Sequence, residues 1–283
     1  MTTFMAAAVQ MRTGISVTAN VAAAEQLIRD AAAAGASYVL TPEMTTILDR
    51  DRARLLAAIA PQESDPSLVR FRELARELGI HLHIGSMAIK LSEDGVANRG
   101  FVIAPDGEIQ ASYDKIHMYD VDLPGGESYR ESRLYRAGNK AVVTDLPAAR
   151  LGMSVCYDVR FPYLYRALAR AGAEMMAVPA AFTRTTGEVH WHVLLRARAI
   201  ETGSWVIAAA QGGHHDDGRD TYGHSLVVDP WGKVVAEAGS EPGFILAEID
   251  PAESATARGR IPALTNERAF TPPVEPAPLR SAS

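Results

Sequence analysis

The sequence predicts an α/β fold in which two sheets pack face to face and helices cover their outer faces. Short apolar, β-favouring runs alternate with segments of helical apolar spacing along most of the 283 residues, and this alternation is typical of α/β domains. Residues 101–109 and 226–234 share an apolar strand, a Pro-x-Gly turn and a second strand, a similarity that hairpin turns also produce by chance. Two similar αβ layers, packed sheet against sheet, would bury all of these strands.

Composition and charge describe an ordinary globular protein and exclude several classes of partner. Hydrophobic residues make up 47% of the chain, charged residues 22%, and the formal net charge is −6, so we expect neither nucleic acid nor an anionic membrane as a partner. The single cysteine, Cys156, excludes an internal disulfide and fits a reducing, cytoplasmic location. Residues 1–11 lack a basic n-region, and no apolar run is long enough to span a membrane.

In the first half of the chain, predicted strands alternate with two predicted helices. The helix over 18–34 is Ala-rich and ends at Gly35, and the amphipathic helix over 66–78 ends at Gly79; glycine is the usual residue at such a C-cap. The predicted strands are apolar or alternating runs, the last following the turn Pro105-Asp106-Gly107. They are 4–10, 38–41, 81–87, 97–103 and 108–113.

The second half begins with a long irregular segment over 116–139, which contains Pro124-Gly125-Gly126. Loops of this length inside compact domains usually have a function. Helical spacing then predicts helices over 161–171 and 189–201. Apolar runs predict the remaining strands, which are 141–146, 150–155, 174–180, 205–210, 221–229, 233–237 and 244–249.

Few signals of regular structure follow the last predicted strand. From Pro251 onward the sequence is rich in Pro and Ala, so we predict a weakly structured tail there. No low-complexity segment or linker interrupts the body of the chain. We therefore predict one domain over residues 1–270 and a C-terminal tail over 271–283.

Cys156 lies where a predicted buried strand, 150–155, turns toward a helix. At such a turn a nucleophile has an exposed tip, nearby backbone N–H donors and the positive end of a helix dipole. A lone cysteine after an apolar strand is, however, more often an inert core residue. A catalytic role therefore depends on whether the chain supplies partners for the thiol.

Two charged residues, Glu43 and Lys115, also follow predicted strands, where ligand sites form in α/β sheets. Glu43 could instead cap a helix, and Lys115 could be a solvated loop charge. Together with Cys156 they form a chemically complete set, because a carboxylate can take the thiol proton and an ammonium can stabilise an oxyanion. The backbone N–H of Tyr157 is a second oxyanion donor in this scheme.

The stretches around these residues resemble the nitrilase superfamily of carbon–nitrogen hydrolases. They are Leu40-Thr41-Pro42-Glu43, Tyr113-Asp114-Lys115-Ile116-His117 and Val155-Cys156-Tyr157-Asp158-Val159-Arg160-Phe161-Pro162. The similarity extends from Ala7 to about Arg268. Matches over 186–191, 195–201 and 222–232 make it closest to the branch of omega-amidases and deaminated-glutathione amidases.

The resemblance implies a fold, an assembly and further site residues. The implied fold is an αββα sandwich with two central mixed sheets, which associates into an αββα–αββα homodimer or a higher homo-oligomer.

A second glutamate matches Glu131 and would hold Lys115. Three positions match residues that line the substrate pocket: Arg160, Phe182 and Thr186. Arg160 would bind a substrate carboxylate, or else pair with Asp158.

The predicted partner surface is an exposed apolar face on the helix after the cysteine. Such patches mark protein interfaces. The residues predicted to form this face are Phe161, Leu164, Tyr165 and Leu168.

The implied activity is an amidase that cleaves a small carboxylate-bearing amide through a cysteine thioester. Deaminated glutathione is the first expected substrate. Alternatives are an omega-amidase acting on alpha-ketoglutaramate, and a nitrilase or N-carbamoyl amidase. These enzymes share the triad that Glu43, Lys115 and Cys156 match here. A scaffolding member of the fold is the non-enzyme alternative, and its signature would be a lost triad residue.

No cofactor or metal is expected from the sequence. Residues two apart on a helix do not share a face, so His190 and His192 do not form a ligand pair. With His214 and His215 they also lack the spacing of a metal site.

Overall fold

The computed structural model describes residues 3–93, 95–123 and 126–273, and it contains two six-stranded mixed sheets. The helices of the described part are α1 (Val17–Ala33), α2 (Arg52–Ala58), α3 (Pro66–Leu78), α4 (Pro162–Arg170), α5 (Arg184–Thr202) and α6 (Pro251–Arg260). The strands are β1 (Phe4–Gln10), β2 (Tyr38–Leu40), β3 (His81–Lys90), β4 (Val96–Ile103), β5 (Ile109–Asp114), β6 (Asp120–Asp122), β7 (Ser128–Arg130), β8 (Val143–Asp145), β9 (Arg150–Met153), β10 (Met175–Ala177), β11 (Trp205–Ala208), β12 (Gly212–His214), β13 (Asp220–Tyr222), β14 (Leu226–Val228), β15 (Val234–Glu237) and β16 (Gly243–Ile249).

The two sheets have the same sequence of strand directions. Their orders are β16-β1-β2-β3-β4-β5 and β8-β9-β10-β11-β14-β15, and each has an antiparallel pair, two parallel pairs and two further antiparallel pairs. The repeated sequence pattern forms equivalent hairpins in them. In the first, the Ala104 N–H donates to Glu108 O at 2.9 Å, and in the second the Asp229 N–H donates to Lys233 O at 2.9 Å.

Side-chain alternation along β1 explains the layers. Ala6 and Ala8 point into a core shared with the second sheet, whereas Ala7 and Val9 point outward and pack with α1 and α3. All four are fully buried, as the period of two along a strand requires when both faces of a sheet are covered. Helices α4 and α5 pack with the second sheet. The predicted αββα sandwich with two mixed sheets is therefore confirmed.

Several predicted elements differ from those observed. Residues 251–260 form α6 rather than a weakly structured tail, because Asp250 caps the helix by accepting from the Ala252 N–H and Pro251 stands at its first turn. The short helix α2 was not predicted, and the predicted strand 221–229 is divided between two sheets. Within the predicted irregular segment, Pro124 and Gly125 lie outside the described residues, as does the tail beyond 273. The boundary between domain and tail stays a prediction.

The predicted interface on α4 is wrong, because most of its residues are internal. Leu164, Tyr165 and Leu168 are at most 3% exposed and belong to the core under the second sheet. The exposed apolar side chains of this layer lie instead mainly on α5, where Val189 and Val193 are each more than 60% exposed. Among the described residues, no helix combines the length and apolarity needed to cross a bilayer.

Candidate active site

Four of the predicted site residues meet at one point between the sheets. Glu43 follows β2, Lys115 follows β5, Glu131 follows β7, and Cys156 follows β9. Lys115 Nζ lies 2.9 Å from Glu43 Oε1, and 2.9 and 3.1 Å from the two carboxylate oxygens of Glu131. Because the strand ends converge here, residues distant in sequence form one ion cluster.

The backbone at Cys156 has an unusual conformation. Its φ of 48° lies in the left-handed region, which is costly for a residue other than glycine and is often found at functional sites. Residues Cys156–Arg160 form a 3₁₀ turn, and α4 begins only at Pro162. The Cys156 N–H donates to Pro179 O at 2.8 Å, which fixes Cys156 at the end of the neighbouring strand.

A buried carboxylate, Asp158, stabilises this turn. Its Oδ2 accepts from the Val155 N–H at 2.8 Å and from the Tyr113 hydroxyl at 2.7 Å. Its Oδ1 accepts from the His117 N–H at 3.1 Å. Asp158 therefore connects the turn that bears Cys156 to the residues on either side of Lys115.

The charges of the cluster determine which group holds the proton at rest. Burial raises the pKa of the Cys156 thiol well above its usual range, and the negative charge of Glu43 adds to this. Burial also favours the protonated form of Glu43, but the Lys115 charge and hydrogen bonds from Lys115, Cys156 and the Ala181 N–H outweigh it, so the pKa of Glu43 is lowered. Burial opposes the charge of Lys115, yet Glu131 and Glu43 raise its pKa well above the ordinary value. The resting site therefore holds a thiol, a carboxylate and an ammonium.

Asn98 is a site residue that the sequence analysis missed. Its Nδ2 donates to Glu43 Oε1 at 2.8 Å and to Glu131 Oε1 at 3.3 Å, while its Oδ1 has no hydrogen-bond partner among the described residues. The side chain is 1% exposed and bridges both carboxylates. Asn98 lies within β4, so the rule that site residues follow strand ends did not find it.

A cavity of about 520 Å³ opens onto this cluster. The predicted substrate residues Phe182 and Thr186 line it, as do Tyr157 and the four residues of the ion cluster. Helix α5 begins at Arg184, five residues before its predicted start, and this brings Thr186 to the wall. The lining also contains several arginines, which are Arg50, Arg52, Arg130, Arg133 and Arg219.

Arg160 lies beside this cavity rather than in its lining. Its guanidinium carbon is 5.8 Å from the ring centre of Tyr157 and 5.2 Å from that of Phe182. Its nitrogens lie 3.3 and 3.4 Å from His190 Nδ1. The alternative pairing with Asp158 is wrong, since that carboxylate is occupied by the contacts described above. Arg160 thus packs against two walls of the cavity.

The histidines considered for a metal do not converge. His190 contacts Arg160, His214 lies 2.9 Å from Asp220, and His215 lies against the Thr13 carbonyl and the Thr221 hydroxyl. His192 points elsewhere, toward Glu237.

The chain is similar to known proteins over most of its length. The carbon-nitrogen hydrolase family model matches residues 5–258. A deaminated glutathione amidase from Synechocystis is 41% identical over 265 residues, which are 92% of this chain and 97% of the relative. The C. elegans NitFhit crystal structure is similar with a TM-score of 0.88 and 36% identity, covering 94% of this chain and 65% of that one.

A second solved structure has a length close to that of this chain. Nit3 of Saccharomyces cerevisiae, a member of branch 10 of the nitrilase superfamily, has a TM-score of 0.84 and 29% identity, covering 95% of this chain and 97% of that one. The match of the family model over most of the chain, together with these likenesses, leads to one conclusion: the protein belongs to the carbon–nitrogen hydrolases of the nitrilase superfamily, enzymes that cleave carbon–nitrogen bonds other than peptide bonds.

Proposed function

We propose that the protein is an amidase that forms a thioester on Cys156, with deaminated glutathione as its substrate. The observation that supports this most is the buried thiol facing an ionised Glu43, with Lys115 beside both, in one cavity. The high identity to the Synechocystis deaminated glutathione amidase, over nearly its whole length, supports the choice of substrate.

Acylation begins with a proton transfer from sulfur to carboxylate. Because the thiol is protonated at rest, Glu43 must accept its proton as the sulfur attacks the amide carbon. The oxyanion that forms is stabilised by Lys115 Nζ and the N–H of Tyr157. Glu43 then gives the proton to the departing amine, the carbon–nitrogen bond breaks, and an acyl thioester remains on Cys156.

Deacylation reverses the roles. A water molecule gives a proton to Glu43 and attacks the thioester carbonyl, and the carbon–sulfur bond breaks. The sulfur recovers the proton, and the carboxylic acid product leaves. Glu131 and Asn98 act in both halves by holding Lys115 and Glu43 in place.

Substrate recognition follows from the cavity walls. Phe182 and Thr186 line the same cavity as the thiol. The lining arginines, of which Arg130 and Arg219 also pair with Asp122 and Asp217, are the groups we propose to attract substrate carboxylates. We propose that Arg160 favours acidic substrates. If its guanidinium reaches the substrate carboxylate, Arg160→Met lowers kcat/KM for a carboxylate-bearing amide at least tenfold more than for a neutral amide of similar size. Equal losses on both amides would mean that Arg160 only supports Tyr157 and Phe182.

The assembly we propose is a homodimer in which the exposed apolar face of α5 is covered by a second copy. Val189, Val193 and Ile200 lie along this face, and each is more than half exposed. A free catalytic thiol is compatible with the reducing cytoplasm, which is the location we propose.

The proposal is tested by comparing kcat/KM on four compounds. They are deaminated glutathione, alpha-ketoglutaramate, a small aliphatic nitrile and an N-carbamoyl amino acid. We expect the highest value for deaminated glutathione and none for any compound with Cys156→Ala. A nitrile or carbamoyl compound that is hydrolysed tenfold faster than both amides would overturn the assignment.

A further inference from the structure

Two histidines and a glutamate converge outside the active site, on the outer side of the second sheet. His192 lies on α5, His224 lies between β13 and β14, and Glu237 ends β15. His192 Nε2 is 2.9 Å and His224 Nδ1 is 3.0 Å from the same oxygen, Oε1 of Glu237. We call these three residues the His–His–Glu cluster. The amidase mechanism uses none of them.

The surrounding residues hold both imidazoles in place. The ring of Tyr222 stacks on His224 at 4.3 Å between ring centres and meets the His192 ring edge-on at 5.9 Å. The backbone of His224 has a φ of 56°, in the left-handed region. This conformation is fixed by hydrogen bonds from the His224 N–H to Gly239 O and from Trp191 Nε1 to His224 O, at 2.9 and 2.8 Å. A strained residue that other groups hold in one conformation is a common feature of binding sites.

We propose that the His–His–Glu cluster binds a zinc-class divalent cation. Its three ligand atoms all lie within 4.8 Å of one another. In a tetrahedral zinc site the ligand atoms stand roughly 3.3 Å apart, as follows from bond lengths of about 2.0–2.2 Å. Small rotations about the side-chain bonds would therefore place all three ligand atoms around one ion.

The chemistry of the ligands favours zinc over the hard cations. Imidazole nitrogen suits Zn²⁺, Ni²⁺ and Cu²⁺, whereas Mg²⁺ and Ca²⁺ require mostly oxygen ligands. The side chains of the cluster are 30–38% exposed, so an ion can reach it from solvent and water can complete the coordination. Two neutral imidazoles and one carboxylate leave a net charge of +1 on the bound Zn²⁺ group, which its exposure to water tolerates.

Binding would connect α5 to the His224 loop and to the end of β15, which backbone hydrogen bonds already join to each other. The loop that carries His224 follows Tyr222, the last residue of β13, whose ring occupies the space next to Gly187 of α5. The Tyr222 N–H donates to Phe182 O at 2.9 Å. Phe182 lines the active-site cavity. The ion would therefore stabilise the folded chain and stiffen the wall of that cavity.

The test uses untagged protein carrying Cys156→Ala, so that the active-site thiol cannot bind the metal. After removal of metal with a chelator, Zn²⁺ is titrated by calorimetry, and Co²⁺ is added to record its visible absorption spectrum. The test variant adds His192→Gln. The matched control adds His214→Gln, because His214 also pairs with one carboxylate, Asp220, but has no third ligand nearby among the described residues.

We expect one Zn²⁺ per chain in the Cys156→Ala protein and a Co²⁺ spectrum typical of four- or five-coordinate nitrogen and oxygen ligands. His192→Gln should weaken binding at least about 100-fold, since loss of an outer-shell partner alone costs 10–100-fold. His214→Gln should leave affinity unchanged within twofold. Unchanged affinity with His192→Gln, or no stoichiometric binding in the Cys156→Ala protein, would overturn the proposal. If His192→Gln changes the circular dichroism of the metal-free protein, Glu237→Gln replaces it in the same comparison.

Discussion

At the scale of the residue, the mechanism we propose depends on a thiol that keeps its proton until a carboxylate takes it. Cys156 and Glu43 are both buried, but their pKa values are shifted so that the carboxylate is ionised and the thiol is not. Lys115 makes this possible by placing a positive charge 2.9 Å from Glu43. In the proposed mechanism, Glu43 can therefore act as the general base only together with Lys115.

The role of Asn98 leads to a prediction about pH dependence. Its hydrogen bond stabilises ionised Glu43, so Asn98→Ala should raise the pKa of that carboxylate. Glu43 must be ionised to accept the thiol proton, and the acid limb of the kcat/KM profile should therefore move to higher pH. A hydrogen bond to a charged group contributes about 1.5–3 kcal/mol, which corresponds to about one to two pH units.

A second buried asparagine provides the control for this measurement. The Asn20 side chain donates to the backbone carbonyls of Gly14 and Thr46 rather than to a carboxylate. Asn20→Ala should lower the free energy of unfolding and leave the acid limb in place. An acid limb that does not move in Asn98→Ala would contradict the role assigned to this residue.

Sequence reasoning found the site residues that follow strands and missed the one within a strand. Glu43, Lys115 and Cys156 each lie where the chain leaves a sheet, so their position after a predicted strand indicated a site. Glu131 follows a strand of only three residues, β7, inside a segment predicted to be irregular, and only family resemblance identified it. Asn98 has no local signal, because its role exists only when β4 lies beside β5.

At the scale of the element, β3 sets how closely the segments that carry Glu43 and Cys156 approach each other. A Cβ added at Gly85 would lie 2.0 Å from Thr41 O and 2.3 Å from Pro179 Cβ. Thr41 precedes Glu43, and Pro179 O accepts the Cys156 N–H. The absence of a side chain at Gly85 therefore allows two strand ends to approach each other.

Gly85→Ala should consequently reduce both stability and activity. The added methyl group would displace the backbone of Thr41 and Pro42 on one side and the ring of Pro179 on the other, and overpacking of this kind typically costs about 1–3 kcal/mol. Gly243→Ala is the matched control, since a methyl group added at that strand glycine would meet open space and its φ is not positive, and its effect should stay within about 0.5 kcal/mol. Urea denaturation measures both variants. If the two lose the same stability, the close approach at Gly85 is not a constraint.

The elements that the sequence predicts well are those with a complete local pattern. Helix α3 has its predicted bounds, because Pro66 begins it and Gly79 ends it in the left-handed conformation. Helix α6 escapes prediction although it has a capping residue and a first-turn proline, since alanines and prolines are also typical of a weakly structured tail. The early start of α5 comes directly after Thr183, whose β-bridge to Thr221 is a tertiary contact that no local pattern encodes.

At the scale of the whole molecule, helix α5 leaves an apolar face uncovered. Val189, Val193 and Ile200 lie on this face and are exposed. We expect light scattering to give about twice the chain mass of 30.4 kDa. Val193→Asp should shift the protein to monomer at micromolar concentration, because it places a charge within the apolar face.

Val69 of α3 provides a comparison for the assembly. It is also an exposed apolar side chain, at 48%, but it lies on the helical layer of the first sheet. Val69→Asp should leave the mass unchanged. A monomeric wild type, or dissociation by Val69→Asp alone, would show that α5 is not the interface.

The central claim is that Cys156 carries the acyl group during turnover. Intact-mass spectrometry and peptide mapping after a rapid acid quench, with deaminated glutathione in excess, test it most directly. We expect an added mass equal to the acyl part of the substrate on the peptide containing Cys156, released by hydroxylamine and absent from an inactive Cys156→Ala. Turnover by Cys156→Ala, or an acyl group on any other residue, would contradict it.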